Sequence, residues 1–398
     1  MFSFSRAIAA ALAFTASTAF SVFAQSSQLP QPPELAARSY LLLDVTANQI
    51  LAAKDIDSQI EPASLTKLMT EYLVFDALRA KKIDLKQTLP VSERAWKMPG
   101  SRMFIDPKMQ VPVEDLIKGM VVQSGNDATM ALAEGVGGTA EKFVQMMNAQ
   151  AKALGMKNTS YKNPEGLTEA GHTTTARDLS ILSTRLMSDF PEYVGFSAIK
   201  KYRYAGTPAT NDTNRNTLLF RDPSVDGLKT GFTEAAGYCM IATAKRDFPN
   251  LGAAGTPGPR RLLAIVLGTA SDSARVNESQ KLLNWGYTAF EAVKLFDAGQ
   301  VVASPSVWKG KNAVVKLGQT SAIVVAVPAG TAAKLKTMVA RPEPLVAPFT
   351  KGQAIGSLRI TSGDNPAVVA EAPLYVLEAV EEAGVLGRAW DAVRLWIR

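Results

Sequence analysis

The sequence predicts an α+β domain followed by a small all-β domain. Apolar runs with strand character stand at both ends of the first 269 residues, around 39–54 and 227–269, and the stretch between about Ser64 and Leu186 is mostly helical by its apolar spacing. A sheet fed from both ends with helices between is an α+β arrangement closed by long-range pairing. From Ala298 onward the composition shifts to Val, Gly, Pro and Thr in alternating runs, which read as strands. A length of 398 residues with 47% hydrophobic and 20% charged content suits two globular domains, not a disordered chain or a multi-span membrane protein.

The elements follow in order. Residues 1–24 read as a secretory signal: Arg6, an apolar run over 7–14, then Val22-Phe23-Ala24 as a small-residue cleavage site before Gln25. The mature chain is expected to be exported from a bacterial cytoplasm, and no later stretch approaches the roughly 20 apolar residues that span a bilayer. Residues 25–297 form the first domain. It opens with a hairpin, 39–45 and 49–54 around Thr46-Ala47-Asn48. Helices fill the middle, broken at Pro99-Gly100 and at Asn163-Pro164-Glu165-Gly166. Strands return at 227–233, 238–245 and 262–269, and residues 247–259 are expected to be a flexible Gly/Pro loop near the strand that carries the candidate site. A helix is expected over 277–296. Residues 298–380 form the all-β domain, with strands such as 322–327 and 367–370.

Residues 381–398 close the chain as an amphipathic helix. At about 100° per residue, Val385, Leu386, Ala389, Trp390, Val393, Trp396 and Ile397 fall within an arc of roughly 140°, opposite Arg388, Asp391, Arg394 and Arg398. Leu395 sits on the polar side and blurs the pattern slightly. Two tryptophans on one face and arginines on the other suit a helix lying in a membrane surface.

Composition also narrows the chemistry. One cysteine, Cys239, cannot form an intramolecular disulfide, and one histidine, His172, cannot build a site that needs two, which sets aside a zinc hydrolase. No metal or cofactor is called for. The net charge of +7 suits an anionic surface nearby and makes no case for nucleic acid.

The candidate nucleophile is Ser64, in Ser64-Leu65-Thr66-Lys67 at the start of a helical run. Residues three apart share a helix face, so Lys67 can reach the Ser64 hydroxyl. A serine needs a base, and a lysine becomes one when burial or another cation lowers its pKa. Backbone amides at the helix start can stabilise an oxyanion. Ser197-Ala198-Ile199-Lys200 and Ser306-Val307-Trp308-Lys309 match the same spacing and are taken as accidents. Two further motifs follow only the first match in order: Ser124-Gly125-Asn126, on a turn after an apolar helix, and Lys229-Thr230-Gly231, on a strand whose edge can pair with an extended substrate. Gly231 keeps that edge open to close approach. Lys67 and Lys229 close together would each disfavour the other's charge. His172, in a turn-rich loop, and Cys239, on a strand, are given structural roles.

With these motifs the chain resembles the serine acyl-transferases that include penicillin-binding proteins and serine β-lactamases, and within them the low-molecular-mass D-alanyl-D-alanine carboxypeptidases. The likeness covers nearly the whole chain, including Glu61-Pro62-Ala63 before Ser64, Asp226-Gly227-Leu228 before Lys229, and Gly171-His172-Thr173-Thr174-Thr175-Ala176-Arg177-Asp178 as a segment bordering the site. It implies an antiparallel sheet flanked by helices, and a periplasmic enzyme attached peripherally to the outer face of the inner membrane. The substrate implied is the peptidoglycan stem pentapeptide, whose terminal D-Ala is removed through an acyl-enzyme on Ser64, with β-lactams as covalent inhibitors. Lys67 would be the base, Ser124 and Lys229 would shuttle protons and hold charge, and Asn126 would bind the peptide amide. The oxyanion hole would be the amides of Ser64 and Phe232. Thr230, Arg275 and, with a weaker match, Arg215 would hold the terminal carboxylate. A D,D-endopeptidase using the same residues on cross-linked peptides is the alternative. A β-lactamase would need a base placed for deacylation, and no glutamate is clearly placed for it.

Overall fold

The computed structural model describes residues 29–252, 255–363 and 365–397. The expected signal, 1–24, lies outside the described residues. The first sheet runs in the order β2-β1-β7-β6-β5, all antiparallel, from β1 (Ser39–Asp44), β2 (Gln49–Lys54), β5 (Val225–Thr233), β6 (Gly237–Phe248) and β7 (Gly258–Thr269). The two ends of the domain meet where Ser39 to Asp44 pair with Leu267 to Leu262. All six residues of β1 are buried, because the sheet is covered on both faces. Alternate side chains serve different cores: Leu41, Leu43, Ile241 and Ile265 face one, and Tyr40, Leu42, Met240 and Ala264 the other.

The larger core lies under the helices α1 (Lys67–Arg79), α3 (Val113–Val122), α4 (Asn126–Gly137), α5 (Ala140–Leu154) and α6 (Ala176–Asp189); between α1 and α3 stand the short helix α2 (Glu93–Trp96) and a small hairpin of β3 (Thr88–Pro90) and β4 (Gln110–Pro112). Polar caps fix several starts: Thr139 accepts from Lys142 N at 3.2 Å and Thr175 from Asp178 N at 3.1 Å. The other face packs on α7 (Leu218–Arg221) and α8 (Asp272–Ala289), the latter capped by Ser271.

Two expectations are corrected. The helix over 277–296 ends at Ala289, and Phe290–Phe296 is a strand, β8, paired with Ile323–Pro328. A partner more than twenty residues downstream outweighs a local pattern that suits either state. The loop over 247–259 is shorter than expected: Asp247 pairs with Pro259 and Phe248 with Gly258, so it is the tip of the β6–β7 hairpin. Lys229 pairs with Ile241, seven residues from Phe248 and so about 23 Å along β6. The tip meets Lys294 of β8, which donates to Gly252 O, and does not border the site.

The second part holds β9 (Val301–Ala303), β10 (Leu317–Gly318), β11 (Ile323–Pro328), β12 (Leu335–Ala340), β13 (Ala354–Ser362) and β14 (Asn365–Val376). One sheet runs β12-β13-β14-β10-β9, and β11 pairs with β8. Val315, Leu317, Val327, Leu358, Ile360 and Leu374 form its dry centre. Gln49 of β2 joins the two parts, accepting from Ala326 N at 2.6 Å and donating to Ala326 O at 3.3 Å. Helix α9 (Val385–Trp396) touches the second part by its polar face: Lys309 N donates to Asp391 at 2.7 Å, and Arg394 lies over the Trp308 ring at 5.3 Å. Its other face is bare, with Leu386 89% and Trp396 87% exposed. Among the described residues no helix is long and apolar enough to cross a membrane.

Candidate active site

Ser64 sits in a single 3-10 turn, Ala63–Thr66, that leads directly into α1. The turn is wedged between two glycines, one that excludes a side chain and one that leaves only a tight fit for it. A Cβ on Gly166, whose φ is +91°, would lie 1.8 Å from Ala63 O; one on Gly231 of β5 would lie 3.1 Å from Ala63 Cβ and 3.2 Å from Ser64 N. Strand β5 therefore passes against the Ser64 amide.

Lys67, on the first turn of α1, is fully buried. Its Nζ lies 3.0 Å from Ser64 Oγ, 2.7 Å from Asn126 Oδ1 and 2.6 Å from Glu165 O. Asn126 opens α4 and its Nδ2 donates to Pro99 O at 2.7 Å, which fixes the amide with its oxygen toward Lys67. Ser124, on the turn between α3 and α4 at φ +58°, accepts from Lys229 Nζ at 2.9 Å, and Lys229 also donates to Thr230 O at 3.0 Å. Burial pushes Lys67 down to about 7. Burial, and then the facing Lys67, hold Lys229 well below an ordinary lysine.

The structure thus joins Ser64, Lys67, Asn126, Ser124 and Lys229 in one cluster. Thr230 and Gly231 continue along β5, and Phe232 next to them is 44% exposed with its ring 4.3 Å from that of Tyr238. Arg275, on α8, donates to Gly231 O at 3.0 Å and pairs with Asp272. Arg215 is exposed and donates to Asn211 Oδ1, while Asn211 donates to Arg102 O. The accidental matches lie elsewhere: Ser197 is buried beside Gly227, and Ser306 stands in the second part. His172 lies against the Ala63–Thr66 turn, its Nε2 2.9 Å from Thr66 Oγ1, and burial lowers it to about 4. Cys239 is a buried free thiol.

Three buried carboxylates escaped the motif reading. Asp127 accepts from the amides of Met103 at 2.9 Å and Phe104 at 2.8 Å, holding that segment beside Asn126. Glu165 supplies its carbonyl to Lys67, and burial raises its own carboxyl. Glu71 is 1% exposed, one helical turn beyond Lys67. Its signal was in the sequence, a carboxylate four residues after a lysine.

The family model for D-alanyl-D-alanine carboxypeptidases matches residues 26–254. The chain belongs to that family. It is accordingly a serine hydrolase, a D-alanyl-D-alanine carboxypeptidase of the penicillin-binding proteins, a group that acts on peptidoglycan peptides and binds β-lactams. A second model, the C-terminal domain of penicillin-binding protein 5, matches residues 290–382. The D-alanyl-D-alanine carboxypeptidase DacC of Escherichia coli (strain K12) is 39% identical over 98% of this chain and 95% of its own. The crystal structure of penicillin binding protein 5 from Haemophilus influenzae is 35% identical, with a TM-score of 0.81, over 89% of this chain and all of that one. Penicillin-binding protein D2 from Listeria monocytogenes, solved in an ampicillin-bound form, is 29% identical with a TM-score of 0.56 over 65% of this chain and all of that one. The α+β fold with its all-β C-terminal part agrees with the sequence expectation.

Proposed function

We propose that the chain removes the terminal D-Ala from peptidoglycan stem pentapeptides through an acyl-enzyme on Ser64. One observation carries the assignment. Two of the three partners of Lys67 Nζ, Asn126 Oδ1 and Glu165 O, are acceptors only, and a neutral amine has two N–H groups to give them. Its lone pair then points at the third partner, the Ser64 hydroxyl, at 3.0 Å. Lys67 takes the Ser64 proton as Oγ attacks the carbonyl carbon of the penultimate D-Ala. The tetrahedral oxyanion is held by the amides of Ser64 and Phe232. As the C–N bond breaks, Ser124, backed by Lys229, passes a proton to the leaving D-Ala amine. Water then releases the shortened peptide from Ser64. Thr230, Arg275 and Arg215 receive the terminal carboxylate, for which a guanidinium fork is suited, and Asn126 also meets the peptide amide.

We further assign residues 25–297 to catalysis and 298–380 to the second domain, with β8 lending its pairing across that division. Residues 381–398 attach the periplasmic enzyme to the outer face of the inner membrane. The support is the bare apolar face of α9, opposite the face that meets the second domain.

The test is release of D-Ala from a pentapeptide ending in D-Ala-D-Ala, with Ser64→Ala as control. Release lost in the variant is expected. Release that persists in Ser64→Ala overturns the nucleophile. No release from pentapeptide, with release from cross-linked dimers, makes the enzyme an endopeptidase.

A further inference from the structure

We infer that Glu71 is a positioning residue for acylation, the counter-charge that lets two lysines occupy one dry pocket. This rests on the proposed roles of Ser64 and Lys67. Glu71 stands four residues after Lys67 on α1, on the same helix face, where Cβ atoms are about 5–6 Å apart. It is 1% exposed, and among the described residues none donates a hydrogen bond or forms an ion pair with its carboxyl. A glutamate so buried is rarely without a partner. No fold requirement explains it: α1 could bury an apolar side chain there, as it does at Leu68, Val74 and Phe75.

The charges around it supply the reason. Burial pushes the carboxyl up to about 7, and the charges of Lys229 on β5 and then Lys67 lower it. Lys67 in turn feels Glu165 and Asp127 as well as Glu71, while Lys229 feels Arg275 and Arg215. The Lys67–Lys229 pair repels itself, and the two arginines near Lys229 add to that repulsion. Glu71 acts on both lysines. It has no hydrogen bond to give up, so it acts through its charge, raising the proton affinity of the pair.

The sign of its removal follows. Without the negative charge Lys67 gives up its proton more readily, so the neutral base persists to lower pH. The experiment is the rate of penicillin acylation against pH, read by mass spectrometry, for wild type, Glu71→Gln, Glu71→Ser and Glu71→Asp. The acid limb is expected to move down by about 1 pH unit in the Gln and Ser variants and to stay near wild type in Glu71→Asp. A folded Gln or Ser variant whose acid limb does not move, whatever its rate, overturns the inference. If neither neutral variant folds, Glu71→Asp decides: an Asp variant that folds with the wild-type acid limb supports the need for the charge, and one that also fails to fold overturns the inference. A wild type that is not acylated at Ser64 would instead refute the catalytic reading.

Discussion

The two parts of the molecule are built on opposite rules. The first buries Lys67, Lys229, Glu71, Asp127, Arg260 and Arg275, each below a tenth exposed. In the second, among the described residues, every buried side chain beyond position 298 is apolar. Burying charge is costly unless each group is paired or neutralised. Among the described residues, three of the eight non-glycine residues at positive φ, Ala63, Phe104 and Ser124, lie in segments that build the site, where such a backbone persists only if the surroundings hold it. Buried charge is concentrated where acylation is proposed, and the second part follows the simpler rule of a dry apolar core.

The sharpest test of that contrast is Lys67→Ala. It should lower penicillin acylation by about 10²–10⁴-fold while substrate peptide still binds, as measured by stopped-flow acylation and equilibrium binding. Retained acylation would separate the charged pocket from the chemistry. Its counterpart is Leu317→Ala in the second core, where Leu317 is fully buried. This should cost about 2–5 kcal/mol of stability in denaturant unfolding and leave the acylation rate unchanged.

Acid should act on the first part selectively. Burial holds His172 at about 4 against an ordinary 6.5. The unfolded chain therefore binds more protons between those values, so this contribution is full above pH 6.5 and falls as pH drops toward 4. About 3 kcal/mol is lost across that window, and His172→Gln should flatten the slope of melting temperature against pH. The smallest catalytic effect is expected from deleting residues 384–398. Acylation should stay at the wild-type rate, whereas sedimentation with anionic vesicles should be lost. Undiminished vesicle binding would remove α9 as the anchor.

The same contrast governs what could be read from the sequence. The hairpin of β1 and β2, the strands of β5 to β7 and the meeting of the ordered serine, asparagine and lysine motifs were legible because local pattern and tertiary placement agree there. Phe290–Phe296 was not, since its state depends on β11 far downstream. Nor was the direction of the β6–β7 tip, which is set by hairpin register and by Lys294. Glu71 was passed over because polar residues on helices are ordinarily solvated, and only tertiary packing on α1, from α4, α5 and α6, encloses it. Asn126 was assigned to the substrate amide alone, whereas its oxygen also lies on Lys67.

The two acceptors on Lys67 bear on the timing of the reaction. A free amine spins about Cε–Nζ among three staggered positions, and only one of them would aim its lone pair at Ser64. With Asn126 and Glu165 each holding one N–H, that search is over before substrate arrives. In the proposed mechanism acylation then carries a small entropy of activation, and loosening either partner slows it by adding a search while leaving the heat of activation almost untouched.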